Sequence, residues 1–333
     1  MTIAQPAQTF LNATPSEPLD FLSVTELRAL MRNLSDLNYL RFGARPDPVA
    51  GVEDYAIPVA GGMITVRAYR PSQQRPLPAH LVLHGGGWWL GSIDERVNEA
   101  ICRYRCVRAG CVVFAVEYRL APEFRFPTAI GDCYAVLEWV AEQSGRLGID
   151  PDNISIGGTS AGGNLAAAVA MHARDVGGPR LVFQLLEVPG LDLTAESARA
   201  ELAAPELAPV TRQAEELAVA ARLYLGDPAQ ARLPLASPVL ATDLAGLPPA
   251  HIMTAELDPL RAEGERYAER LAAAGVPATA VRLPGAIHAS TFLTRVWQVA
   301  RDWQRTAAEA VRVAHRPIDT PLMPRVLDTN AYG

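Results

Sequence analysis

The 333-residue sequence contains no lysine; all 30 of its basic residues are arginine. That absence removes whole mechanisms. There is no P-loop lysine, no lysine to form a Schiff base with pyridoxal phosphate, no kinase strand lysine and no Ser-x-x-Lys nucleophile pair. Any nucleophile must be activated by something else. Histidine is scarce, with six residues, so the search for a general base is short. Cysteine is scarce as well. Cys102, Cys106, Cys111 and Cys133 lack paired C-x-x-C spacing, and no histidine lies nearby to complete a zinc set. They read as small buried hydrophobes, and four in this length do not make a disulfide scaffold. Excess positive charge is missing too. The formal net charge is -6 with a pI of about 5.6, so nothing is built to neutralise phosphates and a nucleic-acid partner is not expected. No apolar run approaches the length of about 18 residues that a membrane helix needs. The opening MTIAQPAQTF has no basic segment and no apolar run of the signal-peptide kind. The expectation is a soluble cytoplasmic protein without a membrane partner.

What is present points to one large catalytic-sized domain. Hydrophobic residues make up 49% and charged residues 20%, enough to bury a sizeable core. Residues 1–50 read as an N-terminal helical segment. Ser23 can cap a helix in which Leu27, Leu30, Met31 and Leu34 recur at helical spacing, and Pro46 and Pro48 end the pattern. Residues 51–315 read differently. Runs at 52–59 and 63–69 flank Gly61-Gly62 as a hairpin. Short apolar runs at 79–83, 111–116 and 154–156 read as buried strands, with further strands near 181–187, 251–255 and 279–283. Helical stretches near 94–109, 127–144, 160–174, 261–274 and 290–314 alternate with them. That alternation predicts an α/β fold with a mainly parallel central sheet flanked by helices. A stretch at about 190–225, rich in Ala, Glu and Leu, breaks the alternation. It reads as a helical insertion that could form a cap with the N-terminal segment, the plainer alternative being a crossover helix. Residues 316–333, with three prolines, read as a loosely held tail.

The chemistry lies in four places. Gly158-Thr159-Ser160-Ala161-Gly162 is a G-x-S-x-G sequence between a strand and a helix. A sharp strand-to-helix turn needs small residues two positions either side of its serine, and it lifts the hydroxyl above the sheet at a helix N-terminus. Upstream, His84-Gly85-Gly86-Gly87 follows a strand, and three successive glycines leave backbone N–H groups free to bind an oxyanion. The competing readings are a plain turn and a phosphate loop; the latter lacks the G-x-G-x-x-G continuation. Among the histidines, His288 sits in a loop after a strand and before the last helix, which suits a general base. Asp258, at the end of the strand near 251–255, suits the group that orients it. The plain reading of Asp258 is a helix cap ahead of Pro259, and Glu256 is the rival carboxylate.

These motifs resemble those of the hormone-sensitive lipase-like carboxylesterases of the α/β-hydrolase superfamily. The resemblance runs over about residues 52–310. It rests on HGGGW at 84–88, YRLAPE at 118–123, GTSAGGNLA at 158–166, DPLRAEG at 258–264 and the His288 loop. It implies the α/β-hydrolase fold with a helical cap, and Ser160, Asp258 and His288 as a catalytic triad. It also implies an oxyanion hole from the N–H groups of Gly85, Gly86, Gly87 and Ala161, no metal or cofactor, and often a homodimer. Trp88, Trp89, Thr159 and Ala289 are expected near the substrate, although either tryptophan could equally be core packing. Three departures from the family pattern are Glu187-Val188 before Pro189, Ala289-Ser290 after the histidine, and Ala262. The resemblance puts these positions near the acyl pocket. The expected activity is hydrolysis of small, short-acyl esters. Two rivals share the fold: a biosynthetic tailoring enzyme (amidase, acyltransferase, lyase or cyclase) and a non-catalytic ligand receptor.

Overall fold

A computed structural model describes residues 3–13 and 23–315. The tail expected over 316–333 lies outside the described residues. The chain begins with α1 (Gln5–Leu11) and α2 (Val24–Phe42). Ser23 caps α2 through a capping box with Glu26, a device typically contributing about 1 kcal/mol. Leu27, Leu30, Met31 and Leu34 are half-buried on this helix; its fully buried residues are Tyr39 and Phe42.

The hairpin β1 (Gly51–Val59) and β2 (Gly62–Arg70) leads into β3 (Leu77–Leu83), α3 (Arg96–Ala109) and β4 (Val112–Glu117). Then come α4 (Thr128–Glu142), the short α5 (Ser144–Leu147), β5 (Ile149–Thr159), α6 (Ala161–Val176) and β6 (Phe183–Glu187). The segment expected as an insertion holds α7 (Glu196–Glu201) and α8 (Thr211–Tyr224). The chain closes with β7 (Ala250–Leu257), α9 (Arg261–Ala273), β8 (Ala278–Ile287) and α10 (Gln298–Ala314).

The eight strands form one sheet in the order β1-β2-β4-β3-β5-β6-β7-β8. β2 pairs antiparallel with β1 and β4, and every pairing from β4 to β8 is parallel. The run Val-Val-Phe-Ala-Val of β4 is buried at each of those positions, as a strand covered on both faces requires. One face packs on α4, α6 and α9 through Val136, Leu137, Leu165, Tyr267 and Leu271. The other packs on α3 and α10 through Cys102, Cys106, Trp303 and Ala307. All four cysteines are buried free thiols. Desolvation pushes those of Cys102 and Cys106 up to about 12, so they behave as hydrophobes.

Three elements depart most from their expected bounds: the strand expected over 154–156 runs from Ile149 to Thr159, and two changes fall near the end of the chain. The last strand runs on to Ile287 instead of ending near 283, because Ile287 pairs with Leu257 across a register shift. The helix expected over 290–314 is divided into a 3-10 turn at Ser290–Leu293 and α10 from Gln298. Trp297 is extended there, and the Arg295 N–H donates to the Phe42 carbonyl of α2, 2.9 Å away, a tertiary contact that takes the place of a helical one.

Candidate active site

The parallel strands bring three loops to one edge of the sheet. Ser160 sits between β5 and α6 with φ 58° and ψ -116°, a strained backbone for a residue with a side chain. Gly162 tolerates this crowding because any β-carbon there would overlap the carbonyl of Leu83. The turn presents the Ser160 hydroxyl to His288, whose Nε2 is 2.9 Å from Oγ. The other ring nitrogen, Nδ1, is 2.7 Å from Asp258 Oδ2. With Nδ1–H donating to the carboxylate, Nε2 is left as an acceptor for the serine proton.

Asp258 is fully buried just beyond β7, and its Oδ1 accepts the Leu260 N–H at 2.9 Å. The expected helix cap is not formed: α9 begins at Arg261 with Leu260 in its cap position, so Oδ1 closes a turn ahead of the helix while Oδ2 faces the ring. Glu256 takes a different partner: its Oε2 accepts the Gly285 N–H at 2.6 Å. The backbone on either side of His288 is tied together by Ser290, whose hydroxyl accepts the Ile287 N–H at 3.0 Å and donates to the Ile287 carbonyl at 2.8 Å. Desolvation pulls the imidazole pKa down, but the charge of Asp258 and its hydrogen bond outweigh that, with a smaller contribution from Glu216. The net shift is upward from 6.5.

The glycine loop lies beside the serine. A β-carbon on Gly85 would stand 3.6 Å from the Ser160 Cβ. Gly86, at φ 119°, makes a close approach that only glycine permits, since a β-carbon would overlap the Leu90 carbonyl. His84 keeps the loop in shape. Its Nδ1 is 2.8 Å from the Gly85 carbonyl, and its ring stacks on Tyr118 at 4.2 Å. Ala161 is the first residue of α6, where a helix end leaves its N–H without an intrahelical partner. Ser155, five residues earlier on β5, is engaged elsewhere: its hydroxyl lies 2.8 Å from both His80 Nδ1 and His315 Nε2.

The residues expected near the substrate divide. Thr159 and Ala289 adjoin the serine and histidine in the chain and are partly buried. Trp89 is partly buried and packs at the margin of the core. Trp88 is core: it is 1% exposed, stacks on Tyr224 at 4.9 Å and donates to Asn164 Oδ1 at 3.3 Å. The departures at 187–188 also lie inward. Val188 is buried against the α10 side of the sheet, and Glu187 is fully buried and ion-paired with Arg105. Sequence reasoning gave no role to Glu263. Its Oε2 accepts the N–H groups of Leu191 and Asp192 at 2.6 and 2.9 Å and so ties the chain beyond Pro189 to α9. Burial pushes the Glu263 carboxyl well above the usual range.

Hollows of about 200 Å³ beside Tyr39 and Gln304, and of about 420 Å³ beside Met63 and Phe124, lie apart from the triad and are lined by none of its residues.

A family model for the alpha/beta hydrolase fold matches residues 80–292. The chain belongs to the hormone-sensitive lipase-like family of α/β-hydrolases. Among the family's curated members, an arylesterase of Saccharolobus solfataricus is 39% identical over 248 residues, 73% of this chain and 78% of that protein. The carboxylesterase NlhH of Mycobacterium tuberculosis is 43% identical over 228 residues, 68% of this chain and 70% of the other. The crystal structure of the family member EstE1, a thermostable carboxylesterase cloned from a metagenomic library, matches with a TM-score of 0.82 at 40% identity. It covers 90% of this chain and 100% of EstE1.

Proposed function

We propose that this family member is a serine carboxylesterase acting on small, short-acyl esters. The observation that carries the proposal is the Ser160–His288–Asp258 chain of contacts at 2.9 and 2.7 Å. In the proposed reaction Ser160 Oγ attacks the ester carbonyl while His288 Nε2 takes its proton. Asp258 holds the ring in the tautomer that can accept it and stabilises the imidazolium. The N–H groups of Gly85, Gly86, Gly87 and Ala161 donate to the tetrahedral oxyanion. The imidazolium returns its proton to the leaving alcohol. Water, deprotonated by His288, then cleaves the acyl-enzyme. The scheme asks for no metal or cofactor.

The proposal extends to a cap made of the N-terminal segment and α7–α8. Its support is contact on both sides of the serine. Ala220 of α8 packs so closely on Gly87 that a β-carbon there would press on it at 2.8 Å. Leu217 and Leu260 gather with Trp88 around Gly190, each 3.8 Å from where its β-carbon would stand. From α2, Arg28 donates to the Trp89 carbonyl at 2.8 Å and grips Glu123 with both terminal nitrogens. A cap closing over the serine in this way would favour short acyl groups by limiting the room for a longer chain. A homodimer is included in the proposal, because β8 stands at the open edge of the sheet and can pair with a second copy. Four buried free thiols fit a reducing, cytoplasmic location, and no helix among the described residues is long and apolar enough to cross a membrane. The net charge of -6 gives no support to a nucleic-acid partner.

Release of p-nitrophenol from an ester chain-length series tests the proposal. Turnover should be fastest on short acyl chains and fall as they lengthen. No release at any length, from folded protein, overturns it.

A further inference from the structure

We propose that Glu187 is a positioning residue for Ser160, acting through the strained turn that presents the nucleophile. The inference rests on the serine-esterase reading above. Glu187 is the last residue of β6 and is 0% exposed. Three elements converge on its carboxylate. Arg105 of α3, also 0% exposed, donates from its terminal Nη2 to Oε1. Trp303 of α10 donates from Nε1 to Oε2 at 2.7 Å. Thr159, next to the nucleophile, directs its hydroxyl to Oε1 at 3.5 Å. The backbone of Glu187 meets the same turn, since its carbonyl accepts the Ser160 N–H at 2.8 Å.

The location gives these contacts their meaning. Ser160 has φ 58° and Val188, the residue after Glu187, has φ 39°; neither is glycine. Backbone held in that region persists only where its surroundings over-determine it. Glu187 is the joint between the two strained residues. Its main chain is tied to one and continuous with the other, and its side chain is clamped from the far face of the sheet by Arg105 and Trp303.

Stability alone does not account for a pair of this kind. Desolvating two charges offsets their attraction, and apolar residues of similar size often serve the fold as well. What an apolar pair cannot do is aim hydrogen bonds, and here they converge beneath the catalytic turn. A nucleophile displaced by a fraction of an ångström loses rate without losing substrate affinity. The reading therefore assigns Glu187 an effect on kcat and on the rate of covalent capture of Ser160, and little effect on KM.

Wild-type protein is compared with Glu187→Gln and with the double variant Arg105→Met/Glu187→Leu, which removes both charges and so leaves no unpaired ion to unfold the core. Active sites are counted with an organophosphonate, and its rate of reaction with Ser160 is followed by intact mass. Per counted site, kcat and the phosphonylation rate should fall about 10- to 100-fold, with KM changed by no more than about 3-fold. A folded double variant with wild-type kcat and phosphonylation rate overturns the inference and leaves the esterase reading standing. If neither variant folds, Trp303→Phe decides, because it removes only the hydrogen bond to Oε2. A fall in phosphonylation rate of at least about 3-fold supports the inference, and an unchanged rate overturns it. Wild-type protein that the phosphonate does not label overturns both readings.

Discussion

Glu256 accepts the N–H of Gly285 at 2.6 Å, which links the end of β7 to the stretch leading into His288. It is two residues from Asp258, and spacing alone does not separate the two carboxylates, since residues two apart on a strand share a face. Their partners do separate them: Asp258 reaches the ring and Glu256 reaches the backbone behind it. Asp258→Asn keeps the shape but favours the wrong imidazole tautomer, so kcat should fall by about 10⁴. Glu256→Gln keeps an amide oxygen for Gly285 and should cost no more than about 10-fold. Paired kinetics at equal folded fraction check this, and a larger loss in Glu256→Gln would transfer the orienting role to Glu256.

Removing the Ser160 hydroxyl should be at least as damaging as removing the Asp258 charge. Ser160→Ala is expected to lower kcat by roughly 10⁴ to 10⁶ while the protein stays folded. Intact mass after organophosphonate treatment should show one adduct on the wild type and none on Ser160→Ala. Ser155 supplies an internal control, because its hydroxyl is committed to His80 and His315. An adduct on the alanine variant would mean that another residue is the nucleophile.

The upward shift of His288 has opposite consequences for activity and stability. Its folded-state pKa lies above the unfolded value, so protonation of the ring stabilises the fold. That contribution is fully present below the unfolded pKa and is lost as pH rises through the folded one. Activity needs the neutral ring, so kcat/KM should fall as pH drops through the raised value. The acid limb should have its midpoint above 6.5 in the wild type and move lower in Asp258→Asn, where the largest favourable influence is gone. A wild-type midpoint below 6.5 would contradict the shift.

The parts of the site legible in the sequence are those whose chemistry is local. Gly158, Ser160 and Gly162 announce a crowded turn because only small residues fit it, and the glycines after His84 announce an exposed backbone for the same reason. Position relative to the predicted strands then points to His288, in a loop before the last helix, and to Asp258, at a strand end. The parts that were not legible depend on partners distant in sequence. Glu187 reads as a departure near the acyl pocket until Arg105, 82 positions earlier, is seen to hold it in the core. Trp88 reads equally as pocket or core until Tyr224 stacks on it. The late start of α10 follows from the contact of Arg295 with Phe42, which helical periodicity cannot encode.

The N-terminal segment offers the last test, of the cap. α2 is attached beside the site by the buried Tyr39 and Phe42 at its C-terminal end and by polar contacts along its length. Arg28 holds the Trp89 carbonyl and Glu123, Ser35 donates to Glu95 at 2.9 Å, and Asp36 accepts the Arg96 N–H at 2.9 Å. The partly exposed ion pair of Arg28 with Glu123 contributes little by itself, commonly below about 1 kcal/mol. The contact of Arg28 with a backbone carbonyl next to the glycine loop is of a different kind, because it fixes where the helix sits. Arg28→Ala should therefore shift acyl-chain preference and raise KM, with kcat on the shortest ester within about 3-fold of wild type. Deleting residues 1–45 should do the same more strongly, as Ser160, Asp258 and His288 all lie beyond the deleted stretch. Loss of Phe10 and Phe42 also uncovers apolar surface around Leu257, Ile287 and Leu293, so the truncated chain is prone to aggregate. The point substitution is thus the cleaner experiment, read as KM and kcat across the ester series. Unchanged values on every ester in a folded Arg28→Ala protein would show that α2 sits beside the site without shaping it.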